Sequence, residues 1–309
     1  MNTSPVQRDL ILVGGGHSHI QVLRSFGMRP IEGVRLTLIT DVLKAPYSGM
    51  LPGFIERIWQ EEDLMFDLTA LSVFAGARLI HQPITHIDIH NKNVLFQNSA
   101  PVSYDVISVN SGSVPDISAI QGAQEYGIPV KPIARFLEKL PDAHKIGASL
   151  AIIGGGAAGS ELALAMRARM TKSGIYPEIH LIGRSPQLLP QQSKAGARIL
   201  SRALQKADID LHCGAAAIQI DTHSVTLESG KKIQAETCLI VTAARPADWV
   251  SGLPVAKDSR GFIAVTPSLH LPDFSDFFAA GDIASVTNHE REKAGVFAVR
   301  AGPVLDYNL

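Results

Sequence analysis

The stretch Ser149-Leu150-Ala151-Ile152-Ile153-Gly154-Gly155-Gly156-Ala157-Ala158-Gly159 decides how this chain of 309 residues folds. Its first five residues form a short apolar run rich in strand formers, and three glycines end the run. A helical pattern follows from Gly159 to Met170, and Glu178 to Ile182 returns to strand. Strand, glycine turn, helix, strand is a βαβ unit of a parallel sheet. Gly154, Gly156 and Gly159 occupy positions one, three and six of the turn. The first lets the chain turn sharply, the second lets backbone approach a diphosphate, and the third lets the helix pack against the strand. The helix start then favours the anion by about 0.3–1 kcal/mol per favourable contact.

The pattern occurs a second time, nearer the N-terminus. Leu10-Ile11-Leu12-Val13 leads into Gly14-Gly15-Gly16, a helical pattern covers His19 to Phe26, and Val34 to Ile39 is the next strand. Here the sixth position is His19, whose side chain would either push the helix outward or turn its ring aside. At the end of the second strand, where a carboxylate commonly holds a ribose hydroxyl, stand Thr40 and Asp41. The corresponding place in the later unit is Gly183-Arg184. An arginine there favours a 2′-phosphate, hence NADP over NAD, and is otherwise a surface arginine.

Further strands end in small residues: Tyr104 to Val109 before Asn110-Ser111-Gly112, Thr237 to Val241 before Thr242-Ala243-Ala244-Arg245-Pro246, and Phe277-Phe278-Ala279-Ala280 before Gly281-Asp282. Segments 84–97 and 218–235 alternate apolar and polar residues and read as antiparallel hairpins or meanders. A helix is expected over about 292–305. Length alone suggests about two domains. Apolar residues make up 46 % and charged residues 18 %, which excludes a disordered chain. Lys plus Arg is 28 against 29 for Asp plus Glu, so there is no electrostatic footprint for nucleic acid. No stretch reaches about 18 uninterrupted apolar residues, and residues 1–8 do not read as a signal peptide. Cys213 and Cys238 form no C-x-x-C pair and are expected as two buried small hydrophobes. His17 and His19, two apart on a helix, do not share a face, so no metal site is expected. No nucleophile elbow or catalytic triad stands out.

Taken in order, Gly14-Gly15-Gly16, Ser111-Gly112, Gly154 to Gly159, Ala244-Arg245-Pro246 and Ala280-Gly281-Asp282 resemble the two-dinucleotide-binding-domain flavoproteins of the pyridine nucleotide–disulfide oxidoreductase superfamily. The resemblance covers essentially the whole chain. Without a cysteine pair, the chain is more similar to the type II NADH:quinone dehydrogenases than to the disulfide reductases. Ala45-Pro46-Tyr47-Ser48-Gly49-Met50-Leu51-Pro52-Gly53 and Gly14-Gly15-Gly16-His17-Ser18-His19 also resemble the flavoprotein module fused ahead of selenide, water dikinase in some organisms. Relatives commonly continue into a further C-terminal domain, and they have a glutamine where Ala301 stands.

The resemblance implies an α/β chain with two Rossmann-like domains of glutathione-reductase type, the second inserted in the first. The FAD-binding domain is expected at 1–118 plus 258–309 and the NAD(P)H-binding domain at 119–257. FAD would be held by Gly14 to His19, Thr40 or Asp41, Pro46, Tyr47, Ser111, Gly112, Gly281 and Asp282. NAD(P)H would be held by Gly154, Gly155, Gly156, Ala158, Gly159, Arg184, Ala244 and Arg245. Tyr47 to Gly53 would form a loop facing the isoalloxazine. Glu161, expected on the first turn of its helix, would meet the nicotinamide amide or flavin N5, or else merely suit the helix dipole. Lys131, between Pro129-Val130 and Pro132, would support the reduced flavin, or else is a linker lysine. The implied reaction is hydride transfer from NAD(P)H to FAD, then electron transfer to a small-molecule acceptor such as a quinone. The alternative is a redox-sensing module with little turnover, linked to selenium metabolism. A cytoplasmic location is expected, with peripheral membrane contact and a homodimer left open.

Overall fold

The computed structural model describes residues 5–189, 193–289 and 291–309. The reading of residues 1–8 as no leader therefore falls partly outside them. In chain order the strands that matter are β1 (Arg8–Val13), β2 (Val34–Thr40), β3 (Arg78–His81), β4 (Val106–Val109), β5 (Ile128–Pro129), β6 (Ser149–Ile153), β7 (Glu178–Gly183), β8 (Ile209–Cys213), β9 (Thr237–Ile240), β10 (His270–Leu271) and β11 (Phe274–Ala279). The helices used below are α1 (His17–Met28), α2 (Ala157–Lys172), α3 (Lys194–Lys206) and α4 (Gly295–Asn308).

The chain divides into two compact units. The first comprises 1–49, 65–114 and 245–309, and the second 50–64 and 115–244. These limits differ from the expected 1–118 plus 258–309 and 119–257. Residues 50–64 join the second unit because Leu51 and Ile55 pack among Leu162, Met166 and Met170, a tertiary preference that local sequence does not announce. Residues 245–257 join the first, where Val250 and Leu253 enter its core.

In unit 1 the sheet order is β10-β11-β4-β1-β2-β3. The register aligns Val13 with Ile39 and Val109, and Val109 with Ala279, so four strands end level with one another. The strand order reverses direction between β1 and β4, where open α/β sheets hold ligands. Leu12, Leu38, Ile107 and Phe277 are fully buried, one from each of four strands, as expected for a sheet covered on both faces. The Val102–Ser103, Asn93–Leu95 and His86–Asp88 strands form the expected antiparallel meander.

In unit 2 the order is β5-β9-β6-β7-β8, all parallel. Helix α2 is rich in Ala, Leu and Met, which lose little rotamer freedom in a helix. It buries Leu162, Met166 and Met170 against Leu150, Leu181 and Leu239. The other face of the sheet packs Ile153, Ile182 and Cys238 with Val225, Leu227 and Ile233 of the expected meander.

Both helices that follow glycine turns begin two residues earlier than their apolar patterns suggest, at His17 and Ala157. Their N-caps are Gly16 and Gly156, and neither end has a side-chain cap, whereas Ser193 caps α3 through Gly196 N–H. The Tyr47–Gly53 stretch is not one loop. Ser48–Met50 is a 3₁₀ turn and Leu51–Ile55 a short helix with Pro52 in its first turn.

One cysteine departs from expectation. Cys238 is buried at 3 % exposure, and burial pushes its thiol up to about 12. Cys213 is exposed, because it ends the outermost strand of its sheet. A thiol reagent should therefore modify one thiol per native chain, and the second only on unfolding. Counting thiols by absorbance with and without denaturant checks this, and two native thiols would contradict it.

Candidate functional site

Each unit carries a glycine turn at the level where its strands end. In unit 2 the Gly154 amide donates to the Ile182 carbonyl at 2.8 Å, and the Val241 amide to the Ile153 carbonyl at 2.8 Å. Gly154 has φ +141°, and a Cβ there would lie 2.2 Å from the Val241 carbonyl oxygen. A Cβ on Gly159 would lie 1.9 Å from the Gly154 carbonyl oxygen, so only glycine lets α2 sit so close to the turn. Gly156 is different. A Cβ there meets nothing within 4 Å, and Gly156, Ala157 and Ala158 are all exposed at the start of α2. The three glycines thus divide into two that serve the fold and one that faces open space.

In unit 1 the Gly14 amide donates to the Ile39 carbonyl at 2.7 Å and the Gly16 amide to the Asn110 carbonyl at 3.2 Å. A Cβ on Gly16 would lie 1.4 Å from Asn110 Oδ1. His19 has its ring turned aside and fully buried. Its Nδ1 lies 2.7 Å from the Gly14 carbonyl oxygen and its Nε2 2.8 Å from Ser108 Oγ. A carbonyl oxygen only accepts, so Nδ1 carries the proton and Nε2 accepts from the serine hydroxyl. Burial lowers its pKa to about 4. Ser18 is also turned away, its hydroxyl donating to the Ala298 carbonyl of α4 at 2.7 Å. At positions 18 and 19 neither side chain is left for a ligand.

Side chains from distant segments gather around this turn. The His17 ring lies 5.1 Å from that of Tyr47 and 6.1 Å from that of Phe66. Ser113 Oγ donates to Asp282 Oδ2 at 3.2 Å. Gly281, at φ +69°, approaches Asn110 so closely that a Cβ would lie 3.2 Å from its Nδ2. Burial lowers the His17 pKa and the charge of Asp282 partly offsets that. Two buried nitrogens, His17 Nε2 and Asn110 Nδ2, find no hydrogen-bond partner among the described residues.

The remaining candidates are more scattered. Thr40 is buried and bonds locally, Oγ1 to the Val42 carbonyl at 3.1 Å, while Asp41 is exposed just beyond β2. Pro46 ends the Lys44–Pro46 strand, paired with Met65–Asp67. Ser111 and Gly112 follow β4, with Gly112 at φ +75°. Arg184 is exposed directly after β7. Ala244 closes the second unit, and Arg245 pairs with Asp248 at 2.5 Å. Glu161 is exposed one full turn into α2 rather than on its first turn, because the helix starts at Ala157. Lys131 is half-buried in unit 2, just past β5.

Sequence reasoning missed Asn110, Phe66 and Ser113. Asn110 stood in plain view as the residue ending a strand before Ser-Gly, but its partners lie about a hundred residues or more away. Among the described residues no group of three His, Cys, Asp or Glu side chains could hold a metal ion. No helix there is long and apolar enough to cross a membrane.

The family model for pyridine nucleotide-disulphide oxidoreductases matches residues 8–302, from β1 into α4, and so takes in both glycine turns. The chain belongs to this family. It is 25 % identical over 290 residues to the NADH dehydrogenase-like protein YutJ of Bacillus subtilis, covering 90 % of this chain and 77 % of that protein. Reduced Bacillus anthracis CoADR-RHD superposes with a TM-score of 0.85 at 20 % identity, covering 98 % of this chain and 57 % of the other. The water-forming NADH oxidase of Lactobacillus brevis, solved bound to NADH, superposes at 0.84 and 20 % identity, covering 98 % of this chain and 69 % of the other. The family fold is thus present in both units, while the chain spans little more than half of one of these solved relatives.

Proposed function

We propose that the chain is an FAD-dependent oxidoreductase that takes a hydride from NAD(P)H and passes electrons to a small-molecule acceptor. The observation that carries this reading is Gly156: a glycine whose missing side chain neither the turn nor the helix needs, at an exposed helix start. Close approach by a diphosphate is the use left for it. Unit 1 fits a second dinucleotide by the same kind of helix start, with two partnerless buried nitrogens beside it.

In this reading the backbone of Gly14 to Gly16 and the start of α1 hold the FAD diphosphate. Asp282 and the 111–112 turn hold its ribityl side, and Asp41 its ribose, since the Thr40 hydroxyl is engaged locally. The backbone of Gly154 to Ala158 holds the NAD(P)H diphosphate, and Arg184 meets a 2′-phosphate. When bound, the flavin supplies the two-electron chemistry. Glu161 and Lys131 are carried as the residues that orient the nicotinamide and support the reduced ring. The acceptor is a quinone or another small oxidant. YutJ is by name NADH dehydrogenase-like and the Lactobacillus enzyme an NADH oxidase, which supports the donor half of this reading.

The test is anaerobic mixing of the purified yellow protein with NADH or NADPH, followed at the flavin absorbance band. Bleaching by at least one nucleotide is expected, faster with NADPH. Arg184→Ala should bring the two rates together, about a tenfold loss for NADPH if the pair contributes about 1.4 kcal/mol. Flavin that neither nucleotide bleaches would end the oxidoreductase reading and favour the redox-sensing module.

A further inference from the structure

The two glycine turns differ at one matching position. In each unit a neighbouring strand leads to a residue whose amide donates to the carbonyl just before the glycines. Asn110 donates to Val13 and Val241 to Ile153, both at 2.8 Å. A Cβ on the first glycine would meet the carbonyl oxygen of that same residue, at 2.5 Å for Gly14 and 2.2 Å for Gly154. Asn110 and Val241 are therefore counterparts. Beyond its backbone Val241 is all carbon, and it packs on the core of unit 2. Asn110 carries an amide.

Two glycines make room for that amide. Gly16 has φ −69° and ψ 166°, extended backbone that any residue adopts. What forbids a side chain there is Asn110 Oδ1, 1.4 Å from where the Cβ would lie. On the other side a Cβ on Gly281 would lie 3.2 Å from Nδ2. A Cβ on Gly156, the matching glycine of unit 2, meets nothing within 4 Å. Asn110 is 3 % exposed, and its Nδ2 finds no hydrogen-bond partner among the described residues. Buried amide nitrogens are rarely left so. The amide lies against the N-cap of α1, a helix of 12 residues with no side-chain cap. Such a helix start favours an anion. A neutral amide adds a donor there and brings no charge of its own.

We propose that Asn110 is the side chain by which unit 1 grips the diphosphate of its dinucleotide, Nδ2 donating to a phosphate oxygen. This rests on the proposed function, which puts FAD in unit 1. An ionised phosphate oxygen only accepts, so the amide presents its nitrogen. A hydrogen bond to an anionic oxygen is stronger than one between neutral groups. Unit 2, with Val241, offers no side-chain donor at this position. The difference sets a held nucleotide in unit 1 against an exchanging one in unit 2.

The test gives unit 1 the residue of unit 2. Flavin-free Asn110→Val should bind FAD at least about tenfold more weakly than flavin-free wild type, by titration followed through flavin fluorescence. Its flavin-free melting temperature should not fall, because valine removes an unmet donor. FAD bound as tightly as by the wild type overturns the proposal. So does weaker binding together with a lower flavin-free melting temperature, which marks a packing role. Should Asn110→Val not fold, Asn110→Asp decides at about pH 8, since it keeps nearly the same shape and sets a carboxylate against the diphosphate. Its loss of FAD affinity should exceed about tenfold, and wild-type affinity overturns the proposal. A wild type that binds no FAD fails the proposed function. A wild type that binds FAD no better than Asn110→Val fails this inference alone.

Discussion

Gly156→Val should leave the chain folded and lower its affinity for NAD(P)H about a hundredfold, roughly 2.7 kcal/mol. Gly156 has φ −83°, which valine adopts without strain, and a Cβ there enters open space. Its stability should fall by no more than about 1 kcal/mol, the cost of valine at the N-cap of α2, where glycine is the better residue. Gly159→Val should do the reverse. Its Cβ would press on the Gly154 carbonyl oxygen at 1.9 Å, a backbone atom that cannot swing away. Overpacking of that kind costs about 1–3 kcal/mol, and more where backbone resists. Calorimetric melting and nucleotide titration of both variants check the contrast. If Gly156→Val binds NAD(P)H as the wild type does, the second cradle is not a nucleotide site.

His19 should make the chain acid-sensitive. Its ring is buried and neutral with a pKa of about 4, against 6.5 for a free imidazole. The unfolded chain therefore binds the proton that the folded chain refuses, and stability falls as pH drops from about 6.5 towards 4. At pH 5 the loss from this one group is about 2 kcal/mol. His19→Ala removes two hydrogen bonds and leaves a hole, costing about 2–4 kcal/mol at pH 7. The variant no longer carries this acid penalty, so its deficit relative to wild type should shrink by about 2 kcal/mol at pH 5. Urea unfolding at the two pH values reads both numbers, and a deficit independent of pH would contradict the buried neutral ring. Burial also lowers His17, His180 and His212, so the wild-type slope alone would not isolate His19. The difference between the two proteins does.

The two βαβ units were legible because strand, glycine turn and helix follow one another within about thirty residues. Periodicity and turn chemistry act at that range. The helix starts were misplaced by two residues because glycine caps leave no Ser, Thr, Asp or Asn signal. Sorting of 50–64 into the second unit was not legible, since Leu51 and Ile55 choose their partners only in three dimensions. The same holds for the site. Gly14, Gly154 and their neighbours declared themselves by spacing. Asn110 and Phe66 did not, because what matters about them is the Gly16 turn or the His17 ring they meet. His19 broke the spacing rule, and its hydrogen bonds to Gly14 and Ser108 supply the reason.

The uncapped starts of α1 and α2 bear on how the protein behaves in a laboratory vial. Each leaves amide protons that a bound phosphate would satisfy, so part of the chain's resilience comes from outside it. A ligand at a hundredfold excess over its Kd adds about 2.7 kcal/mol. A preparation stripped of vitamin-derived nucleotide and one that keeps it are thus different materials in storage life and protease resistance. The riboflavin supply of the expression host helps decide which one is harvested.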